Sequence, residues 1–330
     1  MHSLLVTGRL LSRAFWNGIA NVSTATDPNI HKKTEPQLIS AVCGFSKERR
    51  IQRLIKGQFG DDAWFTAKYK TADVLAVADG VGGWRAYGID PGEFSLHLMK
   101  TCERLVKLGR FTPSNPSELL AKSYYELLHH KKAILGSSTA CVVILNKENS
   151  TLYTSNIGDS GFMVVRRGKV IRKSEEQQHY FNTPFQLSLP PPGYRQEVLS
   201  DRPDAAMTDN IPVEDGDVIL VATDGVFDNL PQTLIVNELI KIQGERCAGR
   251  LQMVANSIAW MAKNLSYDEN FVSPFAESAF ANGINTIGKL LDDIEKIHYH
   301  TVLNCPKIGC NIFWRWTFIT NMHNWKKLLN

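Results

Sequence analysis

Two stretches of the chain follow one pattern. Val74, Leu75, Ala76, Val77 and Ala78 run into Asp79-Gly80-Val81, and Val218, Ile219, Leu220, Val221, Ala222 and Thr223 run into Asp224-Gly225-Val226. Each unbroken apolar, β-branched run that halts on Asp-Gly predicts a strand buried on both faces and closed by a turn. Further strands are predicted over Thr139–Leu145, Thr151–Ser155 and Gly161–Val165, with the two Asp-Gly strands spanning Asp73–Ala78 and Asp217–Ala222. Tight polar turns join the strands between 139 and 165, which predicts that they pair antiparallel.

Between the strands lie amphipathic helices with clear start signals. Asp90-Pro91-Gly92-Glu93 and Asn115-Pro116-Ser117-Glu118 each supply an N-cap, a proline at the first helical position and a glutamate placed for a capping box. Behind the first, Phe94, Leu98, Cys102 and Leu105 form an apolar stripe; behind the second, Leu120, Tyr124 and Leu127 do. Two more helices are predicted over Leu234–Ile242 and Leu251–Leu265. Strand clusters and helix pairs are segregated rather than alternating, so the expected class is α+β and not a doubly wound parallel sheet.

Composition narrows the class further. At 330 residues, 43% of them hydrophobic and 21% charged, the chain suits one well-cored domain with appendages. A net charge of +4, without a Lys/Arg cluster interleaved with aromatics, gives no case for a nucleic-acid partner. No apolar run reaches the roughly 18 residues that would span a bilayer. The cysteines at 43, 102, 141, 247, 305 and 310 are scattered, mostly among apolar neighbours, and read as free thiols of a reducing compartment. No acidic residue precedes Asp27, while Arg9 and Arg13 sit among Leu4, Leu5, Leu10, Leu11, Phe15 and Trp16 with interspersed serine and threonine. That is the pattern of a mitochondrial targeting segment. The expected organisation is a targeting segment and linker over 1–35, a globular body over 36–286 and a divergent tail over 287–330.

The acidic strand ends carry the chemistry. A single Asp-Gly after a strand is usually only a turn. Here the feature recurs, with a weaker copy at Gly158-Asp159-Ser160 and an acidic step at Asp61-Asp62. Carboxylates aimed at one point repel and take up protons unless a cation joins them. Oxygen-only donor sets suit hard ions such as Mg²⁺ or Mn²⁺ rather than zinc.

The order of the motifs extends the reading. Asp61-Asp62-Ala63-Trp64, Ala78-Asp79-Gly80-Val81-Gly82-Gly83-Trp84, Gly136-Ser137-Ser138-Thr139-Ala140, Asn156-Ile157-Gly158-Asp159-Ser160-Gly161 and Ala222-Thr223-Asp224-Gly225-Val226-Phe227-Asp228 occur in one sequence. That sequence resembles the type 2C metal-dependent serine/threonine protein phosphatases over about Ser40 to Asn285. The segment from Glu176 through His179 and Pro184 to Leu187 is similar to one branch of them, the mitochondrial PTC-seven homologues. The resemblance implies two stacked antiparallel β-sheets flanked by helix pairs, an αββα sandwich, with two Mg²⁺ or Mn²⁺ ions at one rim. It implies hydrolysis of phosphoserine and phosphothreonine in phosphoprotein substrates by a water held between the ions, in mitochondria.

By the same resemblance Asp79 bridges the ions, Gly80 lends a backbone carbonyl, Asp224 binds the first ion, and Asp61 and Asp62 reach the second directly or through water. Asp159 falls where some members hold a weaker third metal, and reads equally as a turn residue. His179 reads as a structural or rim residue. Two positions depart from the family: Val81 stands where many members have histidine, and Gly57 where many have a phosphate-binding arginine. The tail departs as well. Gly288-Lys289-Leu290-Leu291-Asp292-Asp293 lacks the family's proline and carries an extra residue, and no Val/Leu-rich strand is legible beyond it. Asp292 is the candidate to complete the first ion's shell, though one inserted residue turns a strand side chain to the opposite face. These departures keep a second reading open, a pseudophosphatase that binds phosphoproteins without turnover.

Overall fold

The structure, a computed structural model, describes residues 36–45, 56–194, 198–268, 270–284 and 317–323. The chain divides into two units, Met1–Thr34 and Glu35–Asn330, the first of which lies outside the described residues. Asp292, His298, His300, Cys305 and Cys310 lie outside them too.

One sheet has six strands: β2 (Gln58–Phe59), β3 (Asp62–Lys68), β4 (Ala72–Asp79), β6 (Ala140–Asn146), β7 (Thr151–Ile157) and β13 (Met207–Pro212), in the order β13-β7-β6-β4-β3-β2. The other has five: β1 (Gln37–Cys43), β8 (Gly161–Arg166), β9 (Lys169–Lys173), β14 (Val218–Ala222) and β15 (Thr317–His323), in the order β1-β15-β14-β8-β9. All their pairings are antiparallel. Two short ribbons, β5 (Gly136–Ser138) with β12 (Leu187–Leu189) and β10 (Gln178–Tyr180) with β11 (Thr183–Pro184), lie outside the main sheets. The helices are α1 (Pro91–Lys107), α2 (Pro116–Leu128), α3 (Asp224–Phe227), α4 (Gln232–Ile240), α5 (Ala248–Ser266) and α6 (Pro274–Ala281).

Strand alternation sorts the side chains into three apolar layers. In β4, Val74, Ala76 and Ala78 face α1 and α2, while Leu75 and Val77 face the other sheet. In β14, Ile219 and Val221 meet that inter-sheet layer, while Val218, Leu220 and Ala222 face the helices that include α4 and α5. The expected αββα sandwich is thus present, and it explains why both Asp-Gly strands read as apolar at every position. The N-caps and the prolines after them act as expected, Asp90 accepting from the Gly92 N–H and Asn115 from the Glu118 N–H, while the Glu118 carboxylate turns to Thr112 Oγ1 and Lys122.

One expectation is corrected. β6 and β7 pair antiparallel as predicted, but β8 does not continue that sheet; it crosses to the other one and pairs with β14. The crossing turns at Gly158, whose φ of +92° suits glycine and which approaches the Phe185 carbonyl so closely that a Cβ would lie 2.6 Å from it. The tail over 287–330, in which no Val/Leu-rich strand is legible, supplies a further strand. There β15 inserts between β1 and β14 and bonds to both, as an interior strand of the five-stranded sheet.

Candidate metal centre

Three chain segments leave the sandwich at one rim: the end of β4, the β7–β8 crossing and the end of β14. They bring Asp79, Asp159 and Asp224 together with one ligand oxygen of each within 4.8 Å of the others. Asp62 lies directly across the β3–β4 ladder from Asp79 and is 1% exposed. Asp228 follows one turn after Asp224, with its N–H donating to the Asp224 carbonyl at 2.7 Å. Gly80 sits in a cradle that admits no side chain, since a Cβ there would lie 2.2 Å from the Pro91 carbonyl oxygen.

The electrostatics are those of anions forced together. Burial, and then the charge of Glu176, push the Asp159 carboxyl up to about 7. Asp224 is raised well above the ordinary range by burial and by the charges of Asp159, Asp228 and Asp62. Asp228 is raised by burial, Asp159 and Glu176, with Lys173 opposing. The Asp159 Oδ1 atom is buried with no hydrogen-bond partner among the described residues. An all-oxygen cluster that holds protons for want of a counter-charge fits a hard divalent cation.

The candidate residues separate into distinct environments. Asp79, Asp159 and Asp224 converge, and Asp62 stands across the ladder from Asp79. Asp61 has a partner of its own: Arg85 grips its carboxylate in a fork, Nη1 to Oδ2 at 2.7 Å and Nη2 to Oδ1 at 2.5 Å. Its backbone carbonyl accepts from the Gly80 N–H at 3.1 Å and from Ser95 Oγ at 2.5 Å. Gly57 adopts φ +88° beside the Trp64 carbonyl, a place for a turn rather than a reaching side chain. His179 Nε2 lies 3.0 Å from Asp201 Oδ2.

Sequence reasoning passed over Asp228 and Arg85. The i, i+4 spacing of Asp224 and Asp228 at a helix start was the available signal for the first. Nothing local announced that Arg85 would reach back to Asp61.

Comparison with known proteins agrees with this geometry. Residues 52–256 match the family model described as Protein phosphatase 2C. The chain belongs to that family. Proteins named Protein phosphatase PTC7 homolog are 52% identical to it in Homo sapiens over 297 residues and 52% identical in Danio rerio over 295 residues. In both cases the match covers 89% of this chain and 96% of the relative. Among solved structures, the photosystem II phosphatase PBCP matches with a TM-score of 0.66 and 25% identity, covering 86% of this chain and 98% of that one. Its membership makes this phosphatase 2C chain a metal-dependent protein phosphatase with phosphoprotein substrates.

Proposed function

We propose that the acidic rim holds two Mg²⁺ or Mn²⁺ ions and that the chain uses them to hydrolyse phosphoserine and phosphothreonine in proteins. The observation that carries this reading is the approach of the Asp79, Asp159 and Asp224 ligand oxygens to within 4.8 Å of one another. In this reading Asp79 would be shared by the two ions, Asp224 would hold the first, and Asp62 and the Gly80 carbonyl would serve the second. Asp61 contributes through its backbone, because Arg85 already occupies its carboxylate. Asp292, outside the described residues, remains the candidate for the first ion's last protein ligand. Metal ions held by these residues would supply acidification of a water and neutralisation of the charge that grows on the phosphoryl oxygens.

The protein's own part is placement. Strand ends from both sheets fix the carboxylates before any ion arrives, so little reorganisation is needed. Val81 has no proton to give, so a water rather than this position would have to protonate the leaving serine or threonine oxygen. With the rim carboxylates Asp62, Asp79, Asp159, Asp224 and Asp228 all in place, turnover is favoured over mere phosphoprotein binding. A mitochondrial, matrix-side setting is supported by the basic, acid-free start of the chain and by its likeness to the PTC7 homologues. Among the described residues no helix is long and apolar enough to cross a membrane.

The test is phosphate release from a phosphothreonine peptide with Mn²⁺, and with EDTA, for the intact chain and for Asp224→Asn. Activity should require the ion and fall at least about a hundredfold in the variant. Turnover in Asp224→Asn within a few-fold of the intact chain would sink the metal reading. Activity confined to small phosphate esters would move the substrate away from proteins.

A further inference from the structure

The loop after Asp79 and the segment from Glu176 to Leu187 are joined by a buried run of hydrogen bonds. The Trp84 indole N–H donates to Ser137 Oγ at 2.6 Å, and the Ser137 hydroxyl donates to Gln186 Oε1 at 2.5 Å. The Gln186 amide NH₂ donates to the Pro184 carbonyl at 3.3 Å, and its backbone N–H to Asp201 Oδ2 at 2.8 Å. That same Asp201 oxygen meets His179, whose ring stacks on Phe185 with centroids 4.2 Å apart. Trp84, Ser137 and Gln186 are all at most 4% exposed.

Donor and acceptor capacity gives the run a single polarity. Indole only donates, so the Ser137 oxygen accepts there and its one proton points at Gln186. Gln186 must then turn Oε1 to Ser137 and NH₂ to Pro184. An apolar residue at 186 would leave the Ser137 proton without an acceptor in a site closed to water, and such a group reorients or drags its backbone along.

Ser137 matters because β5 is the template for the metal-site loop. The Ser137 carbonyl accepts from the Val81 N–H at 3.0 Å, Ser138 bridges Gly80, and the Thr139 N–H donates to the Asp79 carbonyl at 2.9 Å. On its other side β5 pairs with β12, the strand that Gln186 leads into. We propose that Gln186 is a positioning residue for the metal centre, holding through Ser137 and Trp84 the backbone that presents Asp79 and Gly80. The proposal rests on the metal reading above; Gln186 itself need touch neither ion nor substrate.

The variant is Gln186→Met in the full chain, which keeps the side-chain volume and removes the amide. Calorimetry gives its Mn²⁺ affinity, a phosphothreonine peptide at saturating Mn²⁺ gives kcat and KM, and a melt in EDTA gives its stability. Mn²⁺ should bind about tenfold more weakly and kcat should fall several-fold, with KM within about twofold of the parent. Trp84→Phe should also weaken Mn²⁺ binding. The double variant should bind no more weakly than the poorer single, because both act through Ser137. Unchanged Mn²⁺ affinity in Gln186→Met, with or without a lower melting temperature, overturns the proposal, and so do additive losses in the double variant. Asp224→Asn, titrated alongside, separates the two readings: if it binds Mn²⁺ like the parent, the metal reading falls and takes this one with it. If it loses the ion while Gln186→Met does not, only the role of Gln186 falls.

Discussion

Gly80→Ala puts one methyl group where the structure has no room for it. The new Cβ would lie 2.2 Å from the Pro91 carbonyl oxygen, 2.7 Å from its carbon and 2.8 Å from the Asp61 carbonyl oxygen, where real contacts stay beyond 3.0 Å. All three neighbours are backbone, so no side chain can swing aside. The first turn of α1 is also clamped, with Gln58 Nε2 donating to both the Gly60 and Gly92 carbonyls and Ser95 Oγ donating to the Asp61 carbonyl. Relief therefore means pushing α1 off the β4 end, an overpacking cost of about 1–3 kcal/mol. The gain from a less flexible unfolded chain offsets only about 0.4–1 kcal/mol of that. A melt in EDTA should show a drop of several degrees, at about 2–4 °C per kcal/mol for a domain of this size. Because the push opens the loop that carries Asp79, Mn²⁺ affinity measured by calorimetry should fall about tenfold or more. Gly249→Ala is the control: the nearest atom to its Cβ is Cys247 Sγ at 3.6 Å, and its helical site in α5 should gain up to about 1 kcal/mol. A Gly80→Ala protein with the parent's melting temperature and Mn²⁺ affinity would refute the crowding argument.

Three further outcomes follow from the same geometry. In the chelated protein, Asp159, Asp224 and Asp228 hold protons that the unfolded chain releases near pH 4. Their folded pKa values are raised, so the stability these three contribute is fully present below about pH 4 and is lost as pH rises, through about 7 for Asp159, and saturating Mn²⁺ should flatten that decline; melts from pH 5 to 8 in EDTA and in Mn²⁺ check the sign. Arg85→Ala removes the fork on Asp61; with the guanidinium side chain 37% exposed, solvent screening limits the loss to about 1–2 kcal/mol, and Arg85→Lys should recover little of it, as urea melts will show. Ile319→Pro deletes an N–H in the middle of β15, between Ala41 and Leu220, and should cost about 3 kcal/mol or more in a thermal melt, whereas a stable variant would mean that β15 is not an interior strand.

The sequence made β4, β14, α1 and α2 legible because their signals are local: an apolar run closed by Asp-Gly, or a cap followed by proline. Asp79 and Asp224 stood out for the same reason, whereas Asp62, at the start of β3, stood out only through the family resemblance. The β7–β8 crossing was not, because which sheet a strand joins depends on β14, far along the chain, and not on the turn that precedes it. Asp159 read equally as a turn or a ligand, since its turn is local while its distance to Asp79 and Asp224 is tertiary. Arg85 gripping Asp61 belongs to that class as well. β15 failed for a different reason. Thr317–His323 has no Val/Leu run of its own, and β propensity is largely a statement about neighbours. Its neighbours, β1 and β14, each present an open ladder on either side of it.

The rim carboxylates come from both sheets, and that arrangement couples the ion to part of the fold only. Asp62 and Asp79 sit on the six-stranded sheet, Asp224 follows the five-stranded one, and Asp159 lies on the crossing between them. In the proposed reading, an ion there would tie the two sheets at one end. The layer between the sheets, with Leu75, Val77, Val143, Phe162, Val164, Ile219 and Val221, is buried without any ligand's help. Removal of the ion should therefore leave the sandwich folded and strain only its rim, where buried anions would have to take up protons or part. The same separation accounts for the polar run through Ser137 and Gln186. A rim without an apolar core of its own needs directional bonds to hold its backbone, and fully satisfied buried networks supply them.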